Sequence, residues 1–228
     1  MYKIETHLHT IPVSSCAHFS PEEMTRFYKD AGYSTIFVSD HFSPYHYKKL
    51  GNYTWEEKNA MLYDSYLRAK AVGDEIGINV LFSPELSCDG NHFLLYNATL
   101  DFLNSRSDFF DMKISEFREY SQKYGITIVQ AHPFRDEKCV PKPEHVDGFE
   151  VINANPRHEN FDEKAIAIAK EYDLLMSAGS DAHQKEDIAL AAVVSPYEVK
   201  TTEDYLNLLR SGEAKLMKNG EYYDLSDK

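Results

Sequence analysis

Residues 5–10 read Glu5-Thr6-His7-Leu8-His9-Thr10. They close an N-terminal stretch that alternates in character and is rich in Tyr, Ile and Thr. That pattern predicts a first β-strand over 1–8. Side chains on a strand alternate faces, so His7 and His9 point the same way at its C-terminal end. Two imidazoles so placed make a pincer for a metal ion. A lone His-x-His is equally compatible with two histidines that bind nothing. The rest of the chain decides, by whether it brings further ligands to other strand ends.

Working outward, Ser20-Pro21-Glu22-Glu23 is a helix start with Ser as N-cap, Pro at the first position and Glu completing a capping box. The helix is expected to reach Ala31 and stop at Gly32. Thr35 to Ser39 reads as a short buried strand that ends at Asp40-His41. Thr54-x-x-Glu57 caps a long helix to about Glu75, with Gly77 behind it. Ile78–Glu85 and His92–Tyr96 read as strands. The Asp89-Gly90 between them predicts an antiparallel hairpin. Met112–Tyr124 reads as a helix. Ile126–Ala131 reads as a strand halted at His132-Pro133. Gly148–Ile152 (strand), Phe161–Tyr172 (helix), Leu174–Ala178 (strand), Ala191–Ser195 (strand) and a helix from Thr202 to Arg210 follow. After Gly212 a short strand and a polar tail are expected. Strands alternating with helices imply a mostly parallel sheet. About seven such steps predict one domain over 1–228, a small distorted (β/α)7 barrel of TIM-like form, irregular at the hairpin. Chemistry in such barrels sits at the C-terminal strand ends.

Composition narrows the function. The chain has 228 residues, 43% hydrophobic and 13% aromatic, enough for a sizeable core. Net charge is −13 with no Lys/Arg-rich run, which disfavours nucleic-acid binding through a basic patch. An anionic substrate must then find positive charge locally, from metal ions or single arginines. Cys16, Cys88 and Cys139 are odd in number and unpaired in spacing, which fits a reducing compartment rather than a disulfide framework. The chain enters a strand directly, and no apolar run approaches the roughly 18–20 residues that span a bilayer. A soluble, cytoplasmic protein with no membrane partner is expected.

At the expected strand ends stand His7, His9, His41, Glu85, His132, Asp181 and His183, with His92 across the hairpin from Glu85. All are metal-ligand types, and none is Lys or Arg. In this ordered set the chain resembles the polymerase-and-histidinol-phosphatase (PHP) superfamily of metal-dependent phosphoesterases. The resemblance runs from His7-Leu8-His9 through Ser39-Asp40-His41, Glu85, Ala131-His132-Pro133 and Gly179-Ser180-Asp181-Ala182-His183. It implies a distorted seven-stranded barrel with two or three divalent ions (Zn, Mn or Fe) in its mouth. By that resemblance His7, His9, Glu85 and Asp181 hold one ion, and Glu85 bridges to a second on His92 and His132. A third ion takes His41, His183 and a residue of the loop after His9. There the family places Asp or His, whereas this chain offers Cys16 or His18. A cysteine would favour zinc.

The implied chemistry is hydrolysis of a phosphate ester by metal-bound hydroxide attacking phosphorus in line. Glu85 and Asp181 serve it as ligands, and Arg135 and Arg157 are the candidates to grip the remaining phosphate oxygens. Asp40 is a candidate to orient an imidazole. His46, His145 and His158 read as surface residues, with His46 on a loop that could overhang the mouth. Tyr45, Tyr47, Tyr53 and Trp55 surround His46 and either shape a pocket or pack on the barrel. The expected substrate is a small phosphomonoester, histidinol phosphate-like or nucleotide-like, with no nucleic-acid partner. The chain is silent on its oligomeric state. Two alternatives stand: an amidohydrolase-type hydrolase, which also starts with His-x-His but wants a bridging lysine, and a non-catalytic or proofreading PHP module.

Overall fold

In the computed structural model, residues 1–223 are described, and the polar tail expected at 224–228 lies outside them. The chain runs β1 (Tyr2–Leu8), α1 (Pro21–Asp30), β2 (Thr35–Val38), β3 (His41–Phe42), α2 (Pro44–Lys49), α3 (Trp55–Ile76), β4 (Asn79–Phe82), β5 (Glu85–Cys88) and β6 (Asn91–Tyr96). It continues through α4 (Leu100–Asn104), α5 (Ile114–Ser121), β7 (Thr127–Gln130), β8 (Gly148–Asn153), α6 (Asp162–Glu171) and β9 (Leu175–Gly179). It closes with β10 (Ala191–Ser195), α7 (Thr202–Ser211), β11 (Lys215–Lys218) and β12 (Glu221–Tyr223). The helix starts follow their local chemistry. Ser20 and Thr54 each accept from the backbone of a glutamate three residues on, whose side chain reaches back, and Gly77 ends α3 in the left-handed region.

The fold is mixed α/β, but the strands form two six-stranded sheets rather than one hydrogen-bonded barrel. Their orders are β12-β11-β10-β1-β2-β4 and β3-β5-β6-β7-β8-β9. Half of the ladders are antiparallel, which corrects the expectation of a mostly parallel sheet. The strand expected over 78–85 splits, because Ser83-Pro84 passes from one sheet to the other and proline has no N–H for a ladder. Between β2 and β3, Ser39 and Asp40 likewise leave the ladder. The Ser39 hydroxyl instead accepts from the Leu8 amide at 2.7 Å and donates to its carbonyl at 2.8 Å. The helix expected over 112–124 is a shorter α5 followed by a 3₁₀ turn. The hairpin forms as expected, with Glu85 opposite Leu94 and Asp89-Gly90 at the tip in the left-handed region.

The two sheets meet at the end of β1. Leu8 bridges Ala182, His9 N–H donates to the Ala182 carbonyl at 2.9 Å, and Ala182 N–H to the His7 carbonyl at 3.2 Å. These bonds bring the loop after β9 against the His-x-His. Beneath them lies an aromatic core, with Phe37 packed against Tyr96 and Tyr205 at centroid distances of 5.1 and 4.9 Å. Phe37, Phe42, Phe93, Phe102, Phe109, Phe117 and Phe149 are fully buried, each contributing about 1.5–3 kcal/mol of transfer free energy. The rigid core holds the strand ends in place. No helix of the described residues is long and apolar enough to cross a membrane.

Candidate metal centre

The ligand-type side chains arrive from several strands or from the residues just past them. His7 lies near the end of β1 and His9 just beyond it, with ring centroids 5.0 Å apart. His41 opens β3 and Glu85 opens β5. The two are direct partners in a parallel ladder, which sets His41 Nδ1 at 2.6 Å from Glu85 Oε2. His92 comes from β6, with Nδ1 3.4 Å from Glu85 Oε1. His132 follows β7 and Asp181 follows β9, both in left-handed backbone conformations (φ 32° and 50°). Such conformations are costly for residues other than glycine and persist where the surroundings hold them.

The donor atoms gather into overlapping groups, the atoms of each within 4.8 Å of one another. They are His7, His9 and Glu85; His7, His132 and Asp181; Glu85, His92 and His132; His9, His41 and His183; and Cys16, His41 and His46. Glu85 sits at the hub, with His7 Nε2 at 3.3 Å and His132 Nε2 at 3.2 Å. His7 Nε2, His9 Nε2 and His92 Nδ1 are buried with no hydrogen-bond partner. An orphaned buried polar atom ordinarily costs about 1–3 kcal/mol. Three such nitrogens turned to one carboxylate hub fit divalent ions.

Two buried carboxylates beneath the centre carry no mark in the His-rich pattern. Glu150, on β8, takes His7 Nδ1 at 2.9 Å on one oxygen. Its other oxygen accepts from the His132 amide at 3.0 Å and Asn153 Nδ2 at 2.8 Å. It thereby fixes the His7 tautomer with Nε2 turned to the centre. Glu5 Oε1 accepts from the amides of Thr6, His7 and Ser180 at 2.9 Å each, and Oε2 from the Tyr28 hydroxyl at 2.8 Å. The available signal was an acid inside an apolar strand, Phe149-Glu150-Val151. Gly179 lets β9 pass beneath them: a Cβ there would fall 2.4 Å from Glu150 Oε1 and 2.6 Å from His7 Cβ.

Charge follows the geometry. Burial, reinforced by the Arg135 cation, pushes His132 down to about 3, so its ring is neutral and able to bind metal. Burial also lowers His9, helped by the neighbouring His41 and His183. For Glu85, burial works upward, but His92, His7 and His41 hold its carboxyl well below the usual range. Burial works downward on His41, yet Glu85 and Cys16 raise it to about 10. At Cys16 burial is outweighed by hydrogen bonds from His183, His41 and His46, which bring the thiol to about 4.

The mouth is a cavity of about 340 Å³ whose walls include Arg135, Arg157, Asn155 and His158 beside the ligands. Arg135 donates to the Asp181 carboxylate and, at 3.1 Å, to Asn153 Oδ1. Arg157 is held farther out by a bidentate pair to the buried Asp187, at 2.6 and 2.9 Å. Asp40 is buried and accepts from Thr10 and Ser14. Ser14 Oγ lies 3.4 Å from His9 Nδ1, so Asp40 acts on the site through this loop. Cys16 reaches the cluster, with Sγ 3.3 Å from His41 Nε2. His18 does not: it is exposed, and its backbone amide donates to the His183 carbonyl. His46, expected at the surface, is buried with Nε2 3.6 Å from Cys16 Sγ. Its aromatic neighbours Tyr47 and Trp55 pack on Phe110.

Residues 159–214 match the family model of the PHP-associated family (PHP_C). No curated protein matches the chain in sequence. Solved structures share its fold. One is a two-domain protein from Bacteroides vulgatus containing a PHP-like metal-dependent phosphoesterase, at TM-score 0.66 and 16% identity over 95% of this chain and 64% of that one. PsfC from Pseudomonas syringae aligns at TM-score 0.65 and 14% identity, over 97% of this chain and 91% of its own. The lesion-specific endonuclease EndoQ from Pyrococcus furiosus aligns at 0.62 and 12%, over 92% of this chain and 56% of that one. The chain thus spans less than two thirds of the first and third of these proteins. At such identities the likeness is one of fold. With the family-model match, it supports the PHP superfamily.

Proposed function

We propose that this chain, with its PHP-type fold, is a metal-dependent hydrolase that cleaves a small phosphate monoester. The observation that carries the reading is the set of orphaned, buried donor atoms around Glu85, beside an arginine in an otherwise acidic protein. His7, His9, Glu85 and Asp181 would hold one divalent ion, and Glu85, His92 and His132 a second. When bound, such ions neutralise phosphate charge and make a water nucleophilic near neutral pH. Glu150 and Asp40 keep the imidazole donors oriented. Arg135 would take phosphate oxygens, its guanidinium held by Asn153, Asn160 and the Asp181 carboxylate. Arg157, braced by Asp187, stands at the rim to meet the rest of an anionic substrate.

The cavity's size favours a small substrate. No lysine lines it among the described residues, so the bridging group of an amidohydrolase-type site has no counterpart. The test is phosphate release by purified protein reloaded with Mn²⁺ or Zn²⁺, across a panel of phosphate monoesters. A chelated sample, a generic diester and a DNA strand run beside it. Metal-dependent release from a monoester supports the proposal. Cleavage of the DNA alone would replace it with a nuclease. No release from any ester, with metal content verified, would overturn it.

A further inference from the structure

Of the five histidines that line the mouth among the described residues, His41, His46, His92 and His183 belong to the donor groups and His158 to none. It stands at the rim, its side chain 36% exposed against 1% for Glu85 at the hub. His158 is nonetheless held in place. Its Nδ1–H donates to Asp136 Oδ2 at 2.8 Å, and that bond keeps the Asp136 carboxyl below its ordinary range, as an anion. An ionised carboxylate only accepts, so the proton of this bond sits on Nδ1 and Nε2 is the ring atom left to act on a substrate. In such a pair the carboxylate orients the imidazole and balances its charge as an imidazolium.

Asp136 is fixed in turn. Its backbone takes the left-handed conformation (φ 50°), which is costly without glycine and persists where the surroundings impose it. Its amide donates to the Glu159 carbonyl at 2.9 Å, and its Oδ1 accepts from the Glu159 amide at 3.2 Å. The His158 backbone is held on both sides, by its own amide on the Asn155 carbonyl and by Asn160 Nδ2 on its carbonyl, each at 3.4 Å. The loop after β7 and the loop after β8 are thereby clasped together. Each also carries an arginine of the mouth, Arg135 beside Asp136 and Arg157 beside His158.

In-line displacement at phosphorus sets the leaving oxygen opposite the attacking one. Attack from the buried hub therefore turns the leaving oxygen toward the rim, where His158 stands beside Arg157. An alkoxide leaves poorly unless a positioned acid protonates it. We propose that His158 is that general acid and Asp136 its positioning residue, an inference that rests on the phosphomonoesterase reading above. As the bond from phosphorus to the leaving oxygen breaks, its electron pair stays on that oxygen and takes the proton from His158 Nε2. The alcohol departs, and phosphorus keeps the oxygen that came from water. The neutral ring regains a proton from solvent, to which the attacking water has given one up, so one water is consumed in all. The exposure of His158 at the rim allows that exchange.

The test compares ethyl phosphate, whose leaving alkoxide needs a proton, with p-nitrophenyl phosphate, whose leaving oxygen is stable as an anion. Metal content is matched between proteins by titration with Mn²⁺, which His158→Ala should bind as wild type does. On ethyl phosphate, kcat of His158→Ala should fall by about 10²–10⁴-fold, the range that general acid catalysis supplies, with KM little changed. The loss on p-nitrophenyl phosphate should be smaller by at least about tenfold. Asp136→Asn should lose rate in the same order of substrates, less deeply, and Asp136→Glu should recover part of it. Wild type inert on both esters and across the panel of monoesters would overturn the phosphomonoesterase reading and this inference with it. Two results would leave that reading standing and overturn His158 as the acid. One is a wild type active on p-nitrophenyl phosphate but on no alkyl ester; the other is a His158→Ala protein that loses equally on both esters or on neither.

Discussion

Substituting Glu85 by Gln tests the electrostatic logic of the centre in metal-free protein, where no ion obscures it. Burial works against a charged His41, yet Glu85 and Cys16 raise it from the ordinary imidazole range to about 10. With Glu85 Oε2 at 2.6 Å from His41 Nδ1, an effective dielectric constant of about 20 gives an attraction of about 6 kcal/mol. The net rise of His41 corresponds to about 5 kcal/mol at 1.36 kcal/mol per pH unit; burial works against it, so Glu85 is the leading attraction and Cys16 adds to it. The sign runs both ways. His41 is raised, so its contribution to stability is full below the unfolded imidazole range and is lost as pH rises through about 10. Glu85 is lowered, so its contribution is lost as pH falls below the carboxylate range. In Glu85→Gln, the His41 ring proton followed by NMR should titrate at least about 2 pH units lower than in wild type. Unfolding free energy near pH 8 should fall by about 3–5 kcal/mol, the cost of breaking a buried pair. A variant whose His41 still titrates near 10 would refute the assignment of its charge to Glu85. In the metal-loaded protein the same change removes the shared ligand, and turnover should fall to background.

Three further outcomes are expected. Glu150→Gln puts an amide nitrogen where Glu150 accepts from His7 Nδ1, the His132 amide and Asn153 Nδ2, and should weaken metal binding by about 10–100-fold and cost about 1–3 kcal/mol of stability, as read by metal titration beside thermal denaturation. Gly179→Ala forces a methyl group to within 2.4 Å of Glu150 Oε1 and should cost about 1–3 kcal/mol of stability together with metal affinity; a neutral melt would refute the close packing. Burial raises Glu5 to about 7 despite its hydrogen bonds. Metal-free protein should therefore lose about 3 kcal/mol as pH climbs from the carboxylate range through 7, and Glu5→Gln should flatten that slope.

The parts of the site legible in the sequence share one property: they are rare residue types at places the local pattern already identifies as strand ends. His7, His9, His41, Glu85, His92, His132, Asp181 and His183 meet that description, and the structure brings all of them together. Cys16 was legible from its distance to the helix start at Ser20. Arg135 was legible from its place just past His132, and it does face the mouth. His18, two residues beyond Cys16, faces solvent. His46 was read as a surface residue because the aromatic stretch around it has no periodicity that marks a buried face. Its burial comes from α2 folding back on the Cys16 loop, a contact across thirty residues of chain. Glu150 escaped because a single acid in an apolar strand looks the same whether it ends at solvent or under an imidazole.

By itself the sequence determined the helix caps, the hairpin at Asp89-Gly90, the alternation of strands and helices, and the stock of metal-binding donors. Each of these depends on residues within a turn or two of one another, where propensity, capping and side-chain alternation act directly. The tertiary structure alone decided that the strands part into two mixed sheets at Ser39-Asp40 and Ser83-Pro84, and that Glu5 and Glu150 lie beneath the histidines. It alone decided, too, that His46 joins Cys16 and His41. These outcomes turn on which distant segments share a desolvated space, and hydrogen-bond satisfaction there is settled only when the whole chain has packed.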